Sequence, residues 1–486
     1  MTDQNHQDNI NQALQSFQQD TTAFMNQKPQ KMDASGTPTD GVTLFSEDNI
    51  ADKDYITVRD AMRHAIYQRE EVSPDRSAYE ANDRAENLVD NFVHNNLNSM
   101  ENANLRSASL SESPWSDDYW ALYTGTLGKR YADPNFPESS NWKANFDYIR
   151  NNNPRDIFNS GNAAAIDLLS PSEKYDALVG DTNGTLTRRM WSDGKYYYEA
   201  SGSVETWMGI CHGWAPVAYM LDRPENAITV KAANGTPIRF YPSDIKALAS
   251  LLWANVRTPT RFIGGRCNDK DPAQDSNGRI TSSACFDTNP GTWHLSVVNQ
   301  IGAAKRSMVL DATYDYEVWN QPIYAYDYRY FNPSTQNQVN SLSDATVSVN
   351  SFSNDPFSRY RSNRTKSVVG VAMRLAYVVE THPNQNTPDS ATHDAIQKVD
   401  YMYDLELDSS DRIIGGEWYQ NAHPDFLWTP PEGERAETRY DYLATGSWQQ
   451  NRSVPQNWMI AAQQASSADG APLAAIVERL IQFARR

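Results

Sequence analysis

The chain has 486 residues, long enough for about three domains of ordinary size. Lysine and arginine total 43 against 61 aspartates and glutamates, and the resulting charge of −18 disfavours nucleic acid phosphates and anionic membrane surfaces as partners. Aromatic residues make up 11% of the chain, too many for a disordered polar tail, and the best apolar run, Val368 to Val379, is short for a membrane span and broken by Arg374.

Residues 1–113 are rich in Asn, Gln, Asp and Ser. Met1 to Gln12 is polar and has no apolar core of the kind a signal peptide carries. Between Thr57 and Leu97 the apolar residues Ala61, Ile66, Leu88, Phe92 and Leu97 fall loosely at helical spacing. This predicts a mostly helical, weakly packed N-terminal region, either a pro-segment or a solvated linker. From Pro114 the texture changes to dense Trp, Tyr and Gly, so residues 114–486 are read as the compact domain. Ser243 after Pro242 caps a predicted helix, Asp244 to Val256, with Ile245, Leu248, Leu251 and Leu252 on one face. Val371, Met373, Leu375, Tyr377 and Val379 alternate as a strand does, and so do Tyr401, Tyr403, Leu405 and Leu407. The second run ends in the turn cluster Asp408-Ser409-Ser410-Asp411, and Ile413-Ile414 begins a return strand. Leu473, Ile476, Leu480 and Phe483 predict a closing helix. Helices followed by a run of strands place the chain in the α+β class.

Chemistry concentrates around Glu205 to Pro216, ETWMGICHGWAP. Gly209 reads as a flexible turn and Trp214 to Leu221 as a helix. Pro216 lacks an N–H, so the helix should begin near His212 or Gly213, with Cys211 at its N-terminal end. The unbonded N–H groups and positive dipole end there favour a thiolate. Trp293-His294-Leu295-Ser296-Val297-Val298 reads as a strand that carries an imidazole, and Ser307 to Ala312 as a strand carrying Asp311. A two-residue hairpin turn at Gly302-Ala303 would set His294 directly opposite Asp311. The carboxylate would then orient the ring, and the other ring nitrogen would face the thiol. His212, the rival base, is read as a capping or packing residue. The remaining cysteines, Cys267 and Cys285, enclose a short polar loop and lack the close spacing of a zinc site.

These motifs make the sequence resemble the elicitor-type transglutaminases, a secreted family of oomycetes and some marine bacteria. The resemblance is carried by ETWMGICHGWAP, LSPSEKYDALVGDTNGTLT (Leu169 to Thr187), NPGTWHLSVVNQIG (Asn289 to Gly302) and VWNQP (Val318 to Pro322). It continues in YDLELDSSDRIIGGEWY (Tyr403 to Tyr419) and HPDF (His423 to Phe426), and covers roughly residues 147–431. It implies a papain-like core, with the nucleophile helix packed on an antiparallel sheet. The implied activity is a protein-glutamine γ-glutamyltransferase with Cys211 as nucleophile, His294 as acid and base, and Asp311 as orienting carboxylate.

Its substrates would be proteins bearing glutamine and lysine, and small primary amines; a peptidase, a glutamine deamidase or a silent secreted recognition module are the alternatives. Secretion would favour a Cys267–Cys285 disulfide with Cys211 free. The N-terminal region would be a zymogen segment. The family is described as calcium-dependent, which directs attention to Asp269, Asp271 and Asp275 ahead of Asn277 and Gly278, although their spacing is not an EF-hand loop. The oxyanion would be met by the Cys211 N–H; Trp191, Trp207 and Trp214 are candidates for a second, indole donor, and none is assigned. In oomycete members VWNQP opens a surface peptide that plants perceive. Here it continues Ile323-Tyr324-Ala325-Tyr326-Asp327 without the basic residue, so Val318 to Pro322 is read as a strand end and turn on the core.

Overall fold

Long runs of β-branched and aromatic residues pair into an antiparallel sheet, which counts 11 strands among the described residues of the computed structural model. The structure describes residues 2–39, 83–265, 267, 269, 271–314 and 318–485. Across the sheet the strands run in the order Lys31–Asp33, Ala395–Leu407, Ser367–Val379, Asn320–Asn332, Val309–Asp311, Phe426–Thr429 and Arg261–Gly264. Ile413–Trp418 folds back on Ala395–Leu407 after the expected turn, with Tyr403 opposite Trp418. The two long expected strands are therefore present, and they pair with each other, Met373 opposite Tyr401.

Strand alternation sorts side chains between different cores. Val369, Val371, Met373, Leu375, Tyr401, Tyr403 and Leu405 join Trp293, Val297 and Ile301 of an overlying helical segment. Ala372, Met402 and Phe331 instead meet Ile10, Leu14 and Phe17 of the helix Thr2–Gln19. A further, largely helical core includes Cys211–Met220, Pro242–Asn255 and Ala474–Ala484, and touches the sheet through Val309, Trp319 and Val378. The molecule is thus a mixed helical and antiparallel-sheet protein.

The motif Leu169 to Thr187 is scaffold. Ser170 and Glu173 form a capping box on Pro171–Leu178, and Glu173 also grips Arg130 with two bonds of 2.8 Å. Asp176 accepts the Leu186 and Thr187 N–H groups, capping the next helix, while buried Lys174 pairs with Asp244 at 2.7 Å. Asp244 in turn accepts the Tyr241 N–H, so the helix Pro242–Asn255 is capped from Tyr241 rather than from Ser243. Its expected apolar face, Ile245, Leu248, Leu251 and Leu252, is buried.

The N-terminal expectation needs correction. Ala61 and Ile66 lie outside the described residues. Among the described residues from 83 to 102, the chain forms the 3-10 turn Ala85–Asn87 and the short helix Leu97–Asn102, with residues 88–95 outside any helix. Asn299 Oδ1 accepts the N–H groups of Val93 and His94, and Gln300 Oε1 accepts that of Asp90, so this stretch bonds to the core instead of to itself. Ser107–Ser109 and Lys31–Asp33 each add a strand to the sheet. The described parts of residues 1–113 are packed into the fold, not loosely appended.

Candidate active site around Cys211

Cys211 is the first residue of the helix Cys211–Met220, so the helix begins at the cysteine itself and Pro216 lies inside it. The Ile210 N–H donates to the Tyr119 carbonyl at 2.7 Å and fixes the entry. Gly209 is needed for close approach, since a Cβ there would stand 2.4 Å from the Tyr119 carbonyl oxygen. Gly213 plays the same part deeper in, where a Cβ would come within 2.2 Å of Ser250 O on the neighbouring helix. The two glycines and the tyrosine backbone set the depth of the sulfur.

Cys211 is a free cysteine with only 6% of its surface exposed. Its thiol donates to Val318 O at 3.7 Å and accepts from Asn320 Nδ2 at 3.6 Å. Asn320 Oδ1 accepts the Trp428 indole N–H at 2.8 Å, and this contact determines which end of the amide faces the sulfur. Opposite Asn320 in the antiparallel pair stands Asp311, fully buried, its Oδ1 accepting from Trp319 N and Thr313 Oγ1. Glu380, just past the end of the strand Ser367–Val379, is buried and accepts from Gln321 Nε2 at 2.7 Å. Tyr119 and Trp319 pack ring to ring at 5.2 Å.

Electrostatics here run against the expected thiolate. Burial pushes the Cys211 thiol up to about 11, with the charges of Glu380 and Asp311 adding to the rise and the Asn320 bonds opposing it. Helix-end stabilisation is worth only about 0.3–1 kcal/mol at ordinary sites, too little to offset full burial. Burial also lifts Glu380 to about 7; the Gln321 bond and the charge of Lys31 pull it down, and Asp118 pushes it up. A carboxyl that titrates near neutrality therefore acts on a protonated thiol.

The structure brings Asp311 into the field of Cys211 but does not bring His294 there. His294 lies in the helix Pro290–Val297, not in a strand, and Val298–Ala303 continues as a wider π-helical turn where the hairpin was expected. Asn289 Oδ1 caps the helix through the Gly291 N–H, Pro290 opens it, and Trp293, Val297 and Ile301 recur at four-residue spacing. Val309 faces the core that contains Cys211, whereas Leu310 faces the one that contains Trp293. His294 Nδ1 bonds to Tyr403 Oη at 2.8 Å and its ring packs edge-on against Tyr328, both in that second core. Burial alone lowers its pKa to about 3, so it is neutral. His212 is exposed, whereas Cys211 beside it is buried.

Of the tryptophans considered as oxyanion donors, Trp214 donates to Trp115 O and Trp207 to Glu205, while Trp191 packs with Trp142 and Phe146. The residues that do meet the sulfur, Val318 and Asn320, lie in VWNQP, of which Trp319 to Gln321 are buried. The signal for Asn320 and Gln321 was a pair of amides at the start of a strand; Glu380's was a carboxylate directly after a long apolar strand.

Cys267 and Cys285 form the expected disulfide. The described carboxylates of the acidic loop between them do not converge as calcium ligands would. Asp275 Oδ2 already accepts from Arg359 at 2.6 Å and Tyr360 at 2.8 Å; burial raises this carboxyl, but those bonds outweigh it and hold the pKa below the usual range. Asp269 Oδ1 bonds the Asp271 N–H, both residues are exposed, and no metal-holding group of three acidic, His or Cys side chains occurs among the described residues. Among the described residues no helix is long and apolar enough to cross a membrane.

A family model described as "Transglutaminase elicitor" matches residues 85–441. Among solved structures, the chain is similar to the crystal structure of the GP42 transglutaminase from Phytophthora sojae, at 22% identity, covering 68% of this chain and 86% of that one, with a TM-score of 0.46. No curated protein matches the chain.

Proposed function

The chain belongs to the transglutaminase elicitor family, and on that premise we propose that it transfers the γ-glutamyl group of protein-bound glutamine to primary amines, lysine side chains included, through a thioester on Cys211. The observation that carries this reading is the setting of the free thiol: the first position of a helix, an oriented amide against the sulfur, and two buried carboxyls within its field. In this reading the Cys211 sulfur attacks the glutamine carboxamide, ammonia leaves, and the amine resolves the thioester. Glu380 takes the thiol proton, directly or through the substrate, because its pKa near 7 lets it both accept and return a proton at neutral pH. Asp311 holds the Trp319 backbone and Thr313 in place and contributes negative charge that favours a positive group arriving at the site.

The nucleophile helix packed on a strand of an antiparallel sheet is similar in outline to a papain-like core. Burial of Cys211 limits water, which supports transfer to an amine over hydrolysis. The disulfide suits an oxidising, extracellular compartment. One observation favours a second reading, a recognition module without activity: the thiol is protonated at neutral pH, and its hydrogen-bond partners are Val318 O and Asn320, not an imidazole. Incorporation of a fluorescent amine into a glutamine-rich protein, with peptide cleavage and free glutamate measured alongside, decides between them. Amine incorporation abolished by Cys211→Ala supports transfer; cleavage or glutamate without incorporation gives hydrolysis; none of these gives the silent module.

A further inference from the structure

Acyl transfer at Cys211 needs donors for the oxygen that becomes negative as the carbonyl is attacked. The first N–H groups of a helix have no intrahelical partner, so the Cys211 N–H is one such donor by position. A second lies on the strand Asn320–Asn332. Asn320 is buried, its Nδ2 sits 3.6 Å from the sulfur, and its Oδ1 is occupied by the Trp428 indole N–H at 2.8 Å. An indole N–H only donates, so it enforces the rotamer in which the amide N–H₂ faces the thiol. A donor at that distance from sulfur comes within hydrogen-bond range of an oxygen on the carbon bonded to sulfur. Val318 O, also against the sulfur, is an acceptor and cannot serve.

We infer that the Asn320 carboxamide, oriented by Trp428, is an oxyanion donor for acyl transfer at Cys211. The inference rests on the acyl-transfer reading of this thiol but not on which acyl donor or acceptor is used. In the step concerned, the sulfur–carbon bond forms, the carbonyl π pair moves to oxygen, and the proton of the thiol goes to a base. Collapse of the tetrahedral adduct restores the carbonyl and expels the leaving group: ammonia from a carboxamide, once the base has returned the proton to its nitrogen, or phenolate from an aryl ester. Asn320 supplies its N–H to the oxygen only while that oxygen carries charge, so it acts on the rate and not on binding. Trp428 touches no reacting atom; it is a positioning residue.

Two small reagents separate this role from a structural one. p-Nitrophenyl acetate acylates the thiol through a tetrahedral oxyanion, whereas iodoacetamide alkylates it by direct displacement with no oxyanion. Both rates scale with the thiolate population, so their ratio cancels any change in thiol pKa. In Asn320→Ala the ratio of acylation to alkylation should fall by about 100- to 1,000-fold, the usual effect of deleting one oxyanion donor. A ratio unchanged within a few-fold overturns the inference, as does a wild-type thiol that alkylates but is not acylated. If Asn320→Ala does not fold, Trp428→Phe gives the same comparison: the ratio should fall in the same direction, and an unchanged ratio overturns the assignment. Should wild-type protein fail to incorporate amines from glutamine while the ester ratio still falls in Asn320→Ala, the oxyanion donor stands and the transglutaminase reading fails.

Discussion

Replacing Glu380 with glutamine removes a titration while keeping the shape of the side chain. Burial raises the folded-state pKa of Glu380 to about 7 from 4.5, so between these values the folded chain holds a proton that the unfolded chain has released. The stability tied to this group is therefore fully present below pH 4.5 and is lost as pH rises through 7. At about 1.4 kcal/mol per unit, the loss is on the order of 3 kcal/mol by pH 8. Asp117, Asp176 and Asp404 are also buried and raised to about 7, so wild-type protein will show a steeper total slope than Glu380 alone produces. Those groups are common to both proteins and cancel in the difference. Urea denaturation at pH 5 and pH 8 should show Glu380→Gln gaining about 3 kcal/mol on wild type over that interval. Amine incorporation should move the other way, falling by about 100-fold or more if Glu380 handles the thiol proton. A stability difference that stays flat with pH within about 1 kcal/mol would refute the buried, near-neutral titration.

His294→Phe should leave amine incorporation per folded molecule within a few-fold of wild type, while costing about 1–3 kcal/mol because buried Tyr403 Oη loses its bond to the ring and keeps only the long contact to the Met373 sulfur. Since burial holds the folded imidazole near 3 against 6.5 unfolded, the wild type loses stability as pH falls from 6.5 toward 3, and the variant should lose less; an activity loss as large as that of Cys211→Ala would return His294 to the catalytic group. Substituting both Cys267 and Cys285 with serine should cost about 3 kcal/mol, and thiol titration of the unfolded, unreduced wild type should find only Cys211. Deleting residues 2–39 uncovers Phe331, Met402 and Tyr419 and removes Ile10, Leu14 and Phe17, so it should cost several kcal/mol, at about 1.5–3 kcal/mol per buried apolar side chain. An unchanged denaturation midpoint after that deletion would show that the segment is dispensable, as a cleavable pro-segment would be.

The parts of the fold that were legible in the sequence are those where local pattern and tertiary environment agree. Ser367–Val379 and Ala395–Leu407 are long, alternate cleanly in sequence and pair directly with each other, so period alone identified them. The placement of Cys211 followed from Pro216, to within one or two residues of the helix start. His294 was misread because Val297-Val298 and the preceding Trp293 look like a strand, although Asn289-Pro290 is a helix opening and Trp293, Val297 and Ile301 keep a helical period. Once His294 joined a helix, its expected place opposite Asp311 went to Asn320, which the strand pairing supplies from a separate segment. Asn320 and Glu380 converge on Cys211 from far along the chain, and no local spacing encodes that convergence. The N-terminal region looked loose because its polar composition hides a narrow apolar stripe, Ile10, Leu14 and Phe17, which is all that a helix on a sheet requires.

Intact-mass measurement of the protein mixed with a glutamine-containing peptide tests the thioester on Cys211 most directly. Acyl transfer predicts a covalent adduct of the peptide less ammonia, located at Cys211, discharged by an added primary amine and absent from Cys211→Ala. No adduct on wild-type protein that is still folded, an adduct on another residue, or amine incorporation that survives in Cys211→Ala would contradict it.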